Sequence, residues 1–255
     1  MRMKRAMISY AARSHVGRIR ENNEDNLYVD GVLLTPDIRE RPFAIDGHVD
    51  GSAIFAVCDG MGGEESGETA SMEAVQRLSH SDCAIMTARP KRLEEVVQSA
   101  VDDMNEWIRS AAMASNSRMG TTLALAVIIK NRAYCFSMGD SRIYALRKEG
   151  FRQITNDHTP DRSAGGRLTR CIGIGNVLTV ESYPPVPAAC RILICSDGLT
   201  DMLSDKEIES ILRSSVKTEN AADRLLDTAL MQGGKDNVTL IVVDMKGSRL
   251  PFLSR

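Results

Sequence analysis

"AIFAVCDGMGGEESGETAS", residues Ala53 to Ser71, is the stretch on which the fold turns. Its first six residues are apolar without a break, as in a strand covered on both faces. The run then ends in Asp59, and a bare carboxylate at the end of a buried strand is costly unless a metal, an arginine or a helix N-terminus sits beside it. Glycines at 60, 62 and 63 follow at once. Without a Cβ, Gly60, Gly62 and Gly63 predict backbone conformations closed to other residues, letting a carbonyl turn toward a cation; the plainer alternative is a glycine-rich turn into a helix. That helix is expected to begin near Ser66 and to run toward Leu78.

The same pattern recurs along the chain. Asp140 follows "CFSMG", Asp197 follows "RILICS", and Asp236 lies in "GGKDN" just ahead of a last apolar run. One such acid is ordinarily an N-cap or turn residue. Four of them at the ends of apolar runs suggest convergence, and converging carboxylates raise one another's pKa unless a cation neutralises them. An all-oxygen set, with no histidine or cysteine, favours magnesium or manganese over zinc or copper.

Length and composition set the frame. With 255 residues and 43% hydrophobic content, the chain can bury a substantial core, and no break in composition argues for more than one domain over 1–255. Charged residues make up 26% but nearly cancel to −2, so nothing global favours nucleic acid or an anionic membrane. The basic start is too short and too broken by Ser9 and Arg13 for a signal peptide, and no stretch approaches a membrane span. Six scattered cysteines without a C-x-x-C pair fit reduced core thiols, and hence a cytoplasmic protein.

Secondary structure follows from periodicity. "RLEEVVQSAVDDMNEWIRSAA" keeps helical spacing through Leu93, Val97, Val101, Met104, Trp107 and Ile108, which predicts one buried face. Blocks such as "TTLALAVIIK", "AYCFSMGD", "SRIYALRK", "RILICSD" and "NVTLIVVD" read as strands, and their short connections predict antiparallel meanders. Several are apolar at nearly every position, so both faces should be covered. The expected fold class is α+β, a four-layer αββα sandwich of two antiparallel sheets flanked by helix pairs. Thr35 to Gly51 reads as an extended loop or irregular hairpin.

In order, "VGRIRENNEDN", "FAVCDGMGGEESGETAS", "GTTLALAVI", "MGDSRIYALR", "LTRCIGIG", "ILICSDGLTDML" and "GGKDNVTLIVV" resemble the successive motifs of the metal-dependent protein phosphatases, the type 2C serine/threonine phosphatases in their compact bacterial form. The match runs from about Ser14 to Asp244. The resemblance implies a β-sandwich with a binuclear manganese or magnesium centre at one end. It assigns Asp59 as the bridging ligand, the Gly60 carbonyl to the second ion, and Asp197 and Asp236 to the first. Asp140 matches the acid that, with Asp197, binds a third and weaker ion. Glu24 and Asp25 match an acidic pair that reaches the centre directly or through water, Asp201 a nearby acid, and Asn237 a supporting neighbour of Asp236. Arg20 matches the arginine that grips the substrate phosphate.

The implied reaction is hydrolysis of phosphoserine and phosphothreonine monoesters by metal-activated water, without a phosphoenzyme. The implied setting is a cytoplasmic monomer that opposes a serine/threonine kinase on a phosphoprotein substrate, with no nucleic-acid or membrane partner. Two alternatives stand beside it: a pseudophosphatase, which loss of Asp59, Asp197 or Asp236 would have signalled, and another two-metal hydrolase, which would call for a basic track. Met61 stands where many eukaryotic members carry a histidine, leaving protonation of the leaving group to water. Only Pro160 to Arg167 connects two motifs that family members usually separate by a longer flap, which implies an open site.

Overall fold

A computed structural model describes residues 7–62, 66–159 and 169–245. One sheet contains β1 (Met7–His15), β4 (Phe43–Asp50), β9 (Arg142–Arg147), β10 (Gly150–Gln153), β13 (Cys190–Cys195) and β14 (Val238–Met245), in the order β10-β9-β13-β14-β1-β4. The other contains β2 (Asp25–Val29), β3 (Val32–Leu33), β5 (Ala53–Gly62), β7 (Leu123–Ile129), β8 (Arg132–Met138) and β11 (Glu181–Ser182), in the order β11-β8-β7-β5-β2-β3. Two short strands join its margins: β6 (Met119–Thr121) pairs with β5 and β12 (Val186–Pro187) with β8. The helices are α1 (Pro36–Arg39), α2 (Ser66–Thr87), α3 (Leu93–Ala114), α4 (Asp197–Thr200), α5 (Asp205–Ser214) and α6 (Thr218–Met231).

Alternation along β5 shows why its sequence is apolar at every position. Phe55 and Val57 face the opposite sheet and pack with Ile8, Ile192 and Val243. Ile54, Ala56 and Cys58 face the other way, into a layer formed with Leu78 of α2 and Val101 of α3. On the far side, Leu193 and Leu240 meet Leu212 of α5 and Leu225 of α6. These three apolar layers separate the four structural layers expected from sequence.

Four expectations change. Thr35 to Gly51 is not a loop throughout: Pro36 opens α1 and β4 pairs with β1 along its length, its alternating exposure marking a sheet edge. The short connection between β8 and β9 is not a hairpin within one meander, because the two strands lie in different sheets; the chain changes sheet at Gly139 (φ +104°), and Asp140 sits on that corner. Trp107, expected on the buried face of α3, is 47% exposed, with the Arg77 guanidinium 4.1 Å from its ring centre. A cation over the indole face lets this ring stay near water. Helix α2 also runs past Leu78 to Thr87.

Arg191 fixes the helical layer to its sheet. Nε and Nη2 donate to Asp244 at 2.7 and 2.8 Å, and Nη1 donates to the Leu212 and Ser215 carbonyls, both at 2.6 Å. Both charged partners are about 95% buried. Arg191→Ala strands a buried carboxylate and should cost about 3 kcal/mol or more in a urea melt, with Asp244→Ala on top of it restoring part of the loss. A loss below about 1 kcal/mol would mean the pair holds nothing together.

Candidate active site

Asp59 is fixed from both sides of its strand. Its N–H donates to Thr122 Oγ1 (2.9 Å), and its carbonyl accepts from Thr122 N–H (2.9 Å) and Thr121 Oγ1 (3.0 Å). Thr122 Oγ1 in turn shares a 2.6 Å hydrogen bond with Ser141 Oγ, next to Asp140. Across the other edge, Asp25 of β2 is the register partner of Asp59, and Gly60 N–H donates to the Glu24 carbonyl (3.1 Å).

The glycines act otherwise than expected. Gly60 and Gly62 continue β5 and neither has a positive φ. Gly60 is required for close approach, since a Cβ there would lie 2.0 Å from the Gly67 carbonyl oxygen at the start of α2. Gly63 lies outside the described residues, as does the short connection Pro160 to Arg167.

The facing sheet supplies the remaining acids. Ser196, the residue before Asp197, donates through Oγ to Asp25 Oδ2 (2.7 Å) and accepts from Thr239 N–H (3.1 Å). Helix α4 then starts at Asp197, and Gly198 lets it lie against the next loop, where a Cβ would meet the Asn237 carbonyl at 1.9 Å. Asp201 ends α4 one turn after Asp197, exposed, its N–H bonded to the Asp197 carbonyl (2.8 Å). Asp236 accepts from Arg20 Nη2 (2.7 Å) and from Asn237 N–H (2.8 Å).

Asn237 does more than support its neighbour. Its Oδ1 accepts from Glu24 N–H (2.7 Å), and its Nδ2 donates to the Val16 and Asn22 carbonyls, both at 2.9 Å. One side chain thereby ties both ends of the segment carrying Arg20 to the loop carrying Asp236. Asn23 adds a second tie, donating to Ser14 Oγ (3.0 Å) and the Arg39 carbonyl (3.2 Å).

The electrostatics show the acids acting on one another. Burial pushes the Asp25 carboxyl up to about 7; hydrogen bonds from Ser196 and Thr239 oppose the rise, and the charges of Asp197 and Asp236 add to it. Asp59 is held well above the usual carboxylate range, first by burial and then by Asp25, Asp197, Asp140 and Asp236. Glu24 is raised chiefly by burial, with Arg20 opposing. So Glu24, Asp25, Asp59, Asp140, Asp197 and Asp236 form one electrostatic group, with the Arg20 guanidinium at its rim. Among the described residues no three His, Cys, Asp or Glu side chains are drawn together as a ready-made ligand set. The fit to divalent cations rests on the donors: half-buried carboxylate oxygens whose mutual repulsion a hard cation would relieve.

The hydroxyls of Thr121, Thr122, Ser141, Ser196 and Thr239 were not singled out from sequence. The available signal was adjacency, Ser141 directly after Asp140 and Ser196 directly before Asp197. His158 is a further addition. Its Nδ1 accepts from Gly139 N–H (3.0 Å) and its Nε2 meets Glu181 Oε2 (2.7 Å), so it braces the corner that presents Asp140.

The family profile described as protein phosphatase 2C matches residues 42–232. The serine/threonine phosphatase Stp of Listeria innocua is 31% identical, the alignment covering 91% of this chain and 94% of that protein. The serine/threonine protein phosphatase PstP of Mycobacterium tuberculosis is 32% identical over 94% of this chain and 45% of its own length. A crystal structure of the PstP catalytic domain in complex with two manganese ions superposes with a TM-score of 0.77 at 31% identity, covering 94% of this chain and all of that one.

The raised Asp25 has a thermodynamic consequence in the metal-free protein. Its folded-state value of about 7 exceeds the unfolded value of about 3.9, so between the two the native state holds a proton that the unfolded chain has lost. Unfolding free energy therefore falls as pH rises through that window. In chelator, Asp25→Asn should flatten the slope of melting temperature against pH between about 4 and 8 and melt higher at the alkaline end. An unchanged slope would show that Asp25 is not held protonated.

Proposed function

Since the chain belongs to the protein phosphatase 2C family and is a serine/threonine protein phosphatase of that type, we propose that it hydrolyses phosphoserine and phosphothreonine monoesters of a phosphoprotein at the Asp59 cluster. Two divalent cations, manganese or magnesium, would be held there by Asp59, Asp197, Asp236 and the Gly60 carbonyl. Asp140 would take part in a third, weaker site. The supporting observation is the facing pair of buried Asp25 and half-buried Asp59, both raised by desolvation and further by their acidic neighbours. The two manganese ions of the PstP catalytic domain point the same way.

Bound cations supply Lewis-acid polarisation of the phosphoryl oxygens and a water acidic enough to attack at neutral pH. Arg20 brings the charge that the substrate needs. A dianionic phosphoryl group is repelled by the acidic cluster, and a guanidinium at its rim offers two parallel N–H donors to it. The Arg20 side chain is 49% exposed and bonded to Asp236, within reach of both acid and solvent. Asn237 sets where Arg20 stands by fixing the backbone on either side of it. Glu24, Asp25 and Asp201 contribute negative charge directly or through water. Hydrolysis without a phosphoenzyme agrees with the state of Cys58, which is fully buried and whose thiol is raised by burial, Asp25 and Asp59.

The chain would act as a cytoplasmic monomer opposing a serine/threonine kinase. No helix among the described residues is long and apolar enough to cross a membrane.

Phosphothreonine peptides should be turned over with added manganese or magnesium and not in chelator. Asp59→Asn and Asp236→Asn should each remove most turnover with the fold retained, since ligand charge is lost without change of volume. Full activity in chelator, or hydrolysis of phosphodiesters in preference to phosphopeptides, would overturn the proposal.

Arg20→Ala should raise KM more than it lowers kcat. Asn237→Ala should move KM in the same direction by roughly tenfold while far-ultraviolet circular dichroism stays unchanged, because it releases the segment that aims Arg20. Unchanged KM in Asn237→Ala would reduce that residue to a loop staple.

A further inference from the structure

The motif "LTRCIGIG" has no part in the chemistry above, yet it is physically joined to the site. Ile172 pairs through both backbone groups with Thr121 (2.9 Å each way), the same threonine whose hydroxyl holds the Asp59 carbonyl. Beyond Ile172 the chain lies along α3. The buried Asn105 accepts from Gly173 N–H (2.9 Å) and donates to the Gly175 carbonyl (3.2 Å), while Gln98 donates to the Leu178 carbonyl (2.9 Å) and accepts from Val180 N–H (3.0 Å). This wall is therefore preformed.

Between it and the end of α3 runs a groove of about 360 Å³ lined by Arg109, Met113, Asn116, Arg118 and Gly173 among others. Its charged lining residues are two arginines and no acid. Among the described residues neither guanidinium has an ion pair or a side-chain hydrogen bond; Arg109 is half-buried and Arg118 exposed. Arg109 and Met113 also line a neighbouring cavity of about 540 Å³ that holds Asp102 and Glu106, whereas Arg118 lines the groove and not that cavity. Arg118 lies three residues before Thr121 on the chain entering β6, and β6 runs antiparallel to Gly60–Gly62. Three strand residues span about 10 Å, the reach of three or four residues of extended peptide.

The geometry points to a substrate-docking site: we propose that this groove receives an acidic side chain, Asp or Glu, of the phosphoprotein, three or four residues from the phosphorylated one. The proposal rests on the phosphatase reading and adds to it the sequence feature that the enzyme selects. Arg109 and Arg118 offer the carboxylate a charge-assisted contact, while Met113, 72% exposed, gives the adjoining side chain apolar cover. Electrostatic complementarity of this kind selects among substrates without touching the reacting atoms.

The test walks a single Glu through positions two to six on either side of a phosphothreonine in an otherwise neutral peptide, with Gln and Lys at the same position as controls. Enzyme without substitution, Arg109→Ala and Arg118→Glu are compared, with p-nitrophenyl phosphate as a substrate too small to reach the groove. Glu at one or two positions should raise kcat/KM about tenfold over Gln; Arg109→Ala should lose most of that preference, and Arg118→Glu should turn it toward Lys, with p-nitrophenyl phosphate turnover held within about twofold. A flat series on active enzyme would overturn the docking proposal alone. So would a preference that survives both substitutions, or a parallel loss of p-nitrophenyl phosphate turnover. Failure of the unsubstituted protein to hydrolyse p-nitrophenyl phosphate or any phosphopeptide would overturn the phosphatase reading and the docking proposal with it.

Discussion

Asp25 and Asp59 stand opposite one another on adjacent antiparallel strands, both raised by burial, with Asp197 and Asp236 arriving from the facing sheet. Like charges held this close in a low-dielectric setting oppose folding unless protons or cations neutralise them. The fold tolerates the arrangement at one end of the sandwich, where strand ends meet solvent. Protons meet the need in part when metal is absent, as the raised values show. A site that must choose between protons and divalent cations is poised to bind the latter at neutral pH.

The surrounding structure makes the arrangement rigid. Hydroxyls, which carry no charge, hold the acids: Ser196 bonds Asp25, and Thr121 and Thr122 fix the backbone of Asp59 while linking it to Ser141 beside Asp140. Close backbone approach at Gly60 and Gly198 brings α2 and the Asp236 loop against the strand ends. Asn237 then ties three points on the segment around Arg20, at Val16, Asn22 and Glu24, to the Asp236 loop. The acids are thus preorganised by neighbours that mostly hold the backbone beside them, as at Asp59, and leave carboxylate lone pairs open to a cation.

Much of this was legible in the sequence because burial and charge leave different marks. The doubly apolar runs of β5, β7 and β14 forecast two covered faces, and the acids beside β5 and β14, Asp59 and Asp236, stand out against that background. Strands β1 and β4 did not stand out. Arg13 and Ser14 in β1 look polar in sequence, yet Arg13 is buried by ion pairs to Asp46 and Asp223, both 2.7 Å, and Ser14 by its bond to Thr239 (2.8 Å). Tertiary partners create such burial, and local periodicity cannot register them. Gly60 and Gly62 stand out in the sequence, but the physical reason is crowding by the start of α2, at Gly67 and Ser66, rather than the torsion angles of the glycines themselves. The sheet change at Gly139 was hidden for a similar cause, since a tight corner and a hairpin turn use the same residues.

The competition between protons and cations can be counted directly. Manganese binding to the metal-free protein at about pH 6, followed by titration calorimetry in buffers of differing ionisation enthalpy, reports the number of protons released. Because Asp25 titrates near 7 and Asp59 above the usual carboxylate range, binding should release about one proton or more, and the number should shrink toward alkaline pH. Tight binding with no proton released at either pH would contradict a cluster held together by shared protons, and with it the assignment of these acids to the metals.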